Sequence, residues 1–176
     1  SGAAINFSSA TDSTTIVNTD GTISGTITLG GTVADTIQIS GTDYGSTIQG
    51  DLNGNAAVGA NLDIDASFEY GDGVADFTLN DVTNINVADG EVFSLGTSVI
   101  DSDGANDLTI TGAGSVSISG VTGEAISVQG ASLIIDSSAT LVVDNASTID
   151  GDLAVSGTIN GQSSGLELSS NAGSDT

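Results

Sequence analysis

Between Leu108 and Val155 the chain repeats one short unit, apolar-x-apolar, as Leu108/Ile110, Val116/Ile118, Ile126/Val128, Leu133/Ile135, Leu141/Val143 and Leu153/Val155. Their first members stand 8, 10, 7, 8 and 12 residues apart, and nearer the start Ile27/Leu29 and Ile37/Ile39 stand 10 apart. Alternation at period two is the pattern of a strand with one buried side, and these intervals leave room only for short turns. Gly, Ser, Asn and Asp fill the intervals, and each tolerates or stabilises turn geometry. No stretch carries a helical period, and the glycines of GNAAVGAN (54–61) make it a loop. The pattern specifies an all-β chain. A parallel β-solenoid fits it first and a β-sandwich of short strands second, because both use short strands at this spacing. SLIID (132–136) and TLVVD (140–144) are near copies offset by 8, which suits stacked coils and suits a hairpin equally.

The longest alternating run is NLDIDASFEY (61–70), with Leu62, Ile64, Ala66, Phe68 and Tyr70 on one side and Asp63, Asp65, Ser67 and Glu69 on the other. IDGDLAVSGTIN (149–160) follows the same logic, with Ile149, Leu153, Val155 and Ile159 sharing one parity. A slip by one residue would bury the acids, so register is strongly specified. Aromatics are 3% of the chain against 38% hydrophobic residues, so the core must come from Ile, Val, Leu and Ala. Residues 14–160 are expected to form the all-β domain, after a weakly structured segment at 1–13. Residues 161–176 are expected to be a flexible or strand-donating tail, with Leu166 and Leu168 as a short strand. Either end is suited to pairing with a neighbour's sheet edge.

The net charge is −23, and the chain has no Lys, Arg or His. Without a cationic side chain no salt bridge can form except at the N-terminal amine. Every carboxylate must face water, accept hydrogen bonds from neutral donors or bind an external cation. Nucleic acid is excluded as a partner, because affinity for it rests on Lys and Arg neutralising phosphates. Anionic membrane surfaces are excluded on the same ground. No run is long enough for a transmembrane helix, and the few aromatics argue against the girdles of an outer-membrane barrel. The chain begins SGAAINF, without Met or a charged-then-apolar leader, and so reads as a processed mature chain.

Catalytic chemistry is narrowed by what is missing. Without His, Cys, Lys or Arg there is no Ser-His-Asp triad, thiolate nucleophile, Schiff-base lysine or cationic clamp. Carboxylate pairs remain: Asp63 with Asp65, or Asp150 with Asp152, would lie about 6.6 Å apart along a strand, a separation that brackets those of glycosidases. Any strand with acids on its wet side gives the same spacing, so no enzyme is expected. DSDGAND (101–107) resembles the start of a calcium loop, with Asp101, Asp103 and Asp107 around Gly104. It departs from the EF-hand pattern, because Gly104 directly follows the second Asp and no Glu stands at the closing position. Asp101, Asp103 and Asp107 are the candidate Ca2+ ligands, against the alternative of a solvated turn. GGTVADTIQ (30–38) is one degenerate match to the calcium-binding β-roll nonapeptide, with Val33 in place of a glycine and no tandem copy. Thr-rich strands such as TIT (26–28) invite comparison with the flat Thr arrays of ice-binding solenoids, but show no regular ladder.

Residues 108–161 resemble the passenger regions of bacterial autotransporters and filamentous adhesins, and the Thr/Ser/Gly/Asp-rich surface-layer proteins. The resemblance is one of composition over about a third of the chain, and it carries no functional residues across. It implies export, a parallel β-helix or β-sandwich array, and a role as adhesin, coat or filament. The expectation is an exported structural protein at the cell surface or outside the cell, after removal of an export signal. It would be a subunit of a filament, surface layer or adhesive coat whose main partner is itself. Without lysine for isopeptide crosslinks, assembly must be non-covalent, through strand addition or edge stacking, and divalent cations are expected to aid it by screening facing acidic surfaces. The alternative is a monomeric adhesin module that binds a glycan or receptor.

Overall fold

The computed structural model describes residues 4–71, 75–102, 106–118, 123–143, 147–161 and 167–169. They contain no helix, and so none able to cross a membrane. The chain is a parallel β-solenoid, in which each of the first five coils lays one short strand on each of three faces. The first coil supplies β1 (Ile5–Asn6), β2 (Thr15–Thr19) and β3 (Thr22–Ser24), and the second β4 (Ile27–Thr28), β5 (Asp35–Ser40) and β6 (Thr47–Gln49). The third supplies β7 (Leu52–Asn53), β8 (Ala60–Ile64) and β9 (Phe68–Glu69), and the fourth β10 (Thr78–Asn80), β11 (Val82–Val87) and β12 (Val92–Ser94). The fifth supplies β13 (Val99–Asp101), β14 (Leu108–Gly112) and β15 (Ser115–Ile118). In the next two coils one long strand spans the first two faces: β16 (Gly123–Ile135) is followed by β17 (Thr140–Val143), and β18 (Ser147–Val155) by β19 (Thr158–Gly161). β20 (Glu167–Ser169) pairs with β18.

The first face runs β1-β4-β7-β10-β13-β16-β18-β20, and the second runs β2-β5-β8-β11-β14 onto the later parts of β16 and β18. The third face holds β3-β6 and β9-β12-β15-β17-β19, joined where Gly71 N–H donates to Ile48 O at 3.0 Å. Sandwich geometry is thereby excluded: the units stack one coil away, Leu108/Ile110 on Leu133/Ile135 and Val116/Ile118 on Leu141/Val143, and not on their sequence neighbours. SLIID and TLVVD lie on the second and third faces of one coil, with Leu133 over Leu108 and Leu141 over Val116. They form neither a hairpin nor a stacked pair.

Stacking sorts the core into rows. Ile27, Leu52, Leu79, Ile100, Ile126 and Ile149 line up inside the first face. Ile37, Leu62, Ile85, Ile110 and Ile135 do so inside the second. All of these are buried, and each full burial contributes about 1.5–3 kcal/mol. NLDIDASFEY keeps its apolar alternation but is not one strand: the chain turns a corner between Ile64 and Phe68, and Leu62, Ile64, Ala66, Phe68 and Tyr70 are all buried, as is Ser67 of the other parity. Three aromatics meet on the third face. Phe68 stacks on Phe93 at 5.9 Å and meets Tyr70 edge-on at 6.0 Å. Tyr70 Oη donates to Gly50 O at 2.9 Å; burial, aided by the Asp51 carboxylate, pushes its phenol well above the usual tyrosine value.

Candidate functional site

With no cation in the chain, the acids find backbone N–H groups one coil away. Thr42 N–H donates to Asp20 Oδ1 at 2.7 Å, Ser67 N–H to Asp43 Oδ1 at 3.2 Å, Thr78 N–H to Asp51 Oδ1 at 3.0 Å and Ser132 N–H to Asp107 Oδ1 at 2.9 Å. Asp35, 1% exposed, accepts from Thr14 N–H at 2.6 Å in the preceding coil and from Gly30 N–H at 3.2 Å. These carboxylates staple consecutive coils at the corners, where strand pairing lapses and N–H groups would otherwise lack partners. The aspartate of GGTVADTIQ is therefore an internal staple, and Gly30 is required there because a Cβ would lie 2.4 Å from Ser8 Cα.

Of the expected calcium ligands, Asp101 closes β13 and is half-buried, whereas Asp107 lies exposed just before β14. Asp107 is one of the staples, and Asp103 lies outside the described residues. Among the described residues no group of three His, Cys, Asp or Glu is placed to hold a metal ion. Asn106, in the same corner, donates from Nδ2 to Ala56 O at 3.1 Å, two coils back. It can reach because the intervening coil passes this corner through Asp81 alone, in a left-handed conformation (φ 53°).

The second face carries a surface that sequence reasoning missed. Two outward rows run in register along it: Thr15, Thr36, Asn61, Asn84, Thr109 and Val17, Gln38, Asp63, Asn86, Thr111. Rungs of parallel strands are about 4.8 Å apart, so the rows present hydroxyl, amide and carboxyl groups at a regular pitch. Asn86 Nδ2 donates to Asp63 Oδ1 at 2.7 Å, and Thr111 Oγ1 to Asn84 Oδ1 and Asn86 Oδ1 at 3.4 Å each. A shallow depression of about 310 Å³ opens over Thr36, Asn61, Asp63, Asn84, Asn86 and Thr111. Both members of the carboxylate pair are engaged here, Asp63 by Asn86 and Asp65 by Gln38, whose Nε2 donates to Asp65 Oδ2 at 2.6 Å. A flat Thr array does not form around TIT: Thr28 stacks between Asn6 and Asn53 on the first face. The alternating pattern showed that these residues face outward, but the rows exist only once register across coils is known. Comparison with protein-family models, with curated proteins and with solved structures finds no match in any of the three.

Proposed function

We propose that the chain is an exported structural protein that assembles non-covalently with copies of itself into an extracellular filament, surface layer or adhesive coat. The observation that carries this reading is the parallel stack, continuous along its first two faces. Inside it is a continuous aliphatic core, and outside it are polar rows whose members bond to one another along the axis. Such a body offers long uniform faces and, with no Lys or Arg, no cleavage site for trypsin. Electron microscopy and sedimentation of the purified chain, with rising protein concentration in moderate salt, test the reading. Ordered fibres or sheets are expected; dispersed monomers throughout would overturn it.

The depression on the second face favours one alternative, a monomeric module that binds a neutral glycan through Thr36, Asn61, Asp63 and Asn84. Its recognition would rest on hydrogen bonds, because no aromatic ring lines the depression. Saturable glycan binding by a chain that stays monomeric, lost in Asn61→Ala, would select that alternative.

A further inference from the structure

The outward row of the first face reads Thr28, Asn53, Asn80, Asp101, Ser127, Asp150, each in register with the next. Its earlier rungs are joined by amides, Asn80 Nδ2 donating to Asn53 Oδ1 at 2.6 Å. The later rungs differ. Ser127 is 2% exposed and its Oγ has no hydrogen-bond partner among the described residues, whereas buried hydroxyls are ordinarily paired. In-register parallel neighbours project to the same side of a sheet, so the Ser127 side chain is placed in register between those of Asp101 and Asp150, one rung of about 4.8 Å to either side.

We propose that Asp101, Ser127 and Asp150 form a calcium site on the first face of the solenoid. Oxygen donors suit a hard cation, and a Ca2+ about 2.3–2.6 Å from Ser127 Oγ is within reach of carboxylates leaning in from both neighbouring rungs. Water completes the shell. Mg2+ fits less well, because it demands a near-ideal octahedron at shorter distance and gives up water reluctantly. The ion balances the charge of the two carboxylates, which the chain cannot do internally because it has no cationic side chain. Asp101 and Asp150 each make another interaction within the chain; a carboxylate has two oxygens and retains acceptor capacity. The site shares only Asp101 with the DSDGAND turn, and it does not depend on whether the chain assembles.

The test is calorimetric titration of Ca2+ into the decalcified full chain at constant ionic strength, with Mg2+ in parallel and the melting temperature of each variant recorded without calcium. One saturable Ca2+ per chain is expected, with a Kd of about 10⁻⁴–10⁻³ M as in extracellular modules. Asp150→Asn should weaken it by about tenfold or more, and Ser127→Ala, which removes a ligand atom without changing charge, should weaken it measurably. Asp65→Asn, which removes one charge elsewhere, and Asp103→Asn should leave it intact. Three results would overturn the proposal: no saturable binding up to about 10 mM, Asp150→Asn and Ser127→Ala titrating like Asp65→Asn, or binding lost in Asp103→Asn and retained in Asp150→Asn. Should Asp150→Asn melt early, the near-isosteric Ser127→Ala still decides.

Discussion

Asp20 shows at a single position how this chain keeps its acids satisfied. Its backbone is left-handed (φ 51°), a region Asp enters more readily than most residues, and its carboxylate is set into the 41–45 turn of the next coil. A Cβ at Gly41 or Gly45 would come within 2.4 and 2.2 Å of Asp20 Oδ1, so two glycines make the space the carboxylate occupies. Thr42 N–H and, secondarily, the Thr42 hydroxyl at 2.8 Å hold the acid below its ordinary value of 3.8. A depressed folded value means that the contribution to stability is complete above the ordinary carboxylate range and is lost as pH falls through the folded value. An NMR titration of the Asp20 carboxyl carbon should place its midpoint below 3.8. Thr42→Val should return only part of the shift, since the larger cause, the backbone N–H, survives. A midpoint at or above the ordinary value in the parent chain would refute the arrangement.

At the scale of the element, the unit of stability is the stacked row and not the isolated strand. Ile85 lies between Leu62 and Ile110, fully buried, and a cavity there is walled above and below by rungs that cannot collapse without breaking register. Ile85→Ala is expected to cost about 2–5 kcal/mol. Val155, 45% exposed in the last rung of the same face, should lose no more than about 0.5 kcal/mol on the same change. Urea midpoints with unchanged slope check this, and equal losses at the two positions would mean that the rows do not carry the stability. The rows also explain what sequence could reveal. The inward residues were legible from alternation within each strand, although parity carries through the corner from Ile64 to Phe68 and switches between Ile39 and Ile48 and between Leu79 and Val82. The parallel solenoid favoured from the short strand spacing is the fold found, but the length of its coil was not read, although it is present in the spacings: the steps of 8, 10 and 7 from Leu108 end on Leu133, its partner one turn on. Corners that take residues 7–14 in the first coil and only Asp81 in the fourth blur that period. From Ile37 the second-face row advances by 25, 23, 25 and 25 residues, a drift sufficient to hide a repeat without consensus residues. Ser127 was illegible for the same reason, since its neighbours Asp101 and Asp150 are a coil away on either side.

For the whole molecule, the missing cations fix the sign of an effect that is ordinarily ambiguous. In most proteins salt weakens attractive and repulsive pairs together, and the net change in stability depends on their balance. Here attraction between ionised groups is limited to the N-terminal amine, and the remaining pairwise terms among charges that sum to −23 are repulsive. The Debye length falls from about 30 Å at 0.01 M to about 10 Å at 0.1 M, so added salt removes repulsion across the faces while leaving the short N–H staples largely intact. The melting temperature should therefore rise steadily with NaCl over this range, most steeply at the low end, and it should do so in a chloride salt that is neither strongly excluded from the surface nor chelated. Lateral approach of two such bodies is opposed by the same field, so association should strengthen over the same interval if the faces are what meet. Thermal melts by circular dichroism, run alongside light scattering, separate the two effects. A melting temperature that falls with NaCl would show that attractive charge contacts outweigh repulsion, which this sequence leaves no residues to make.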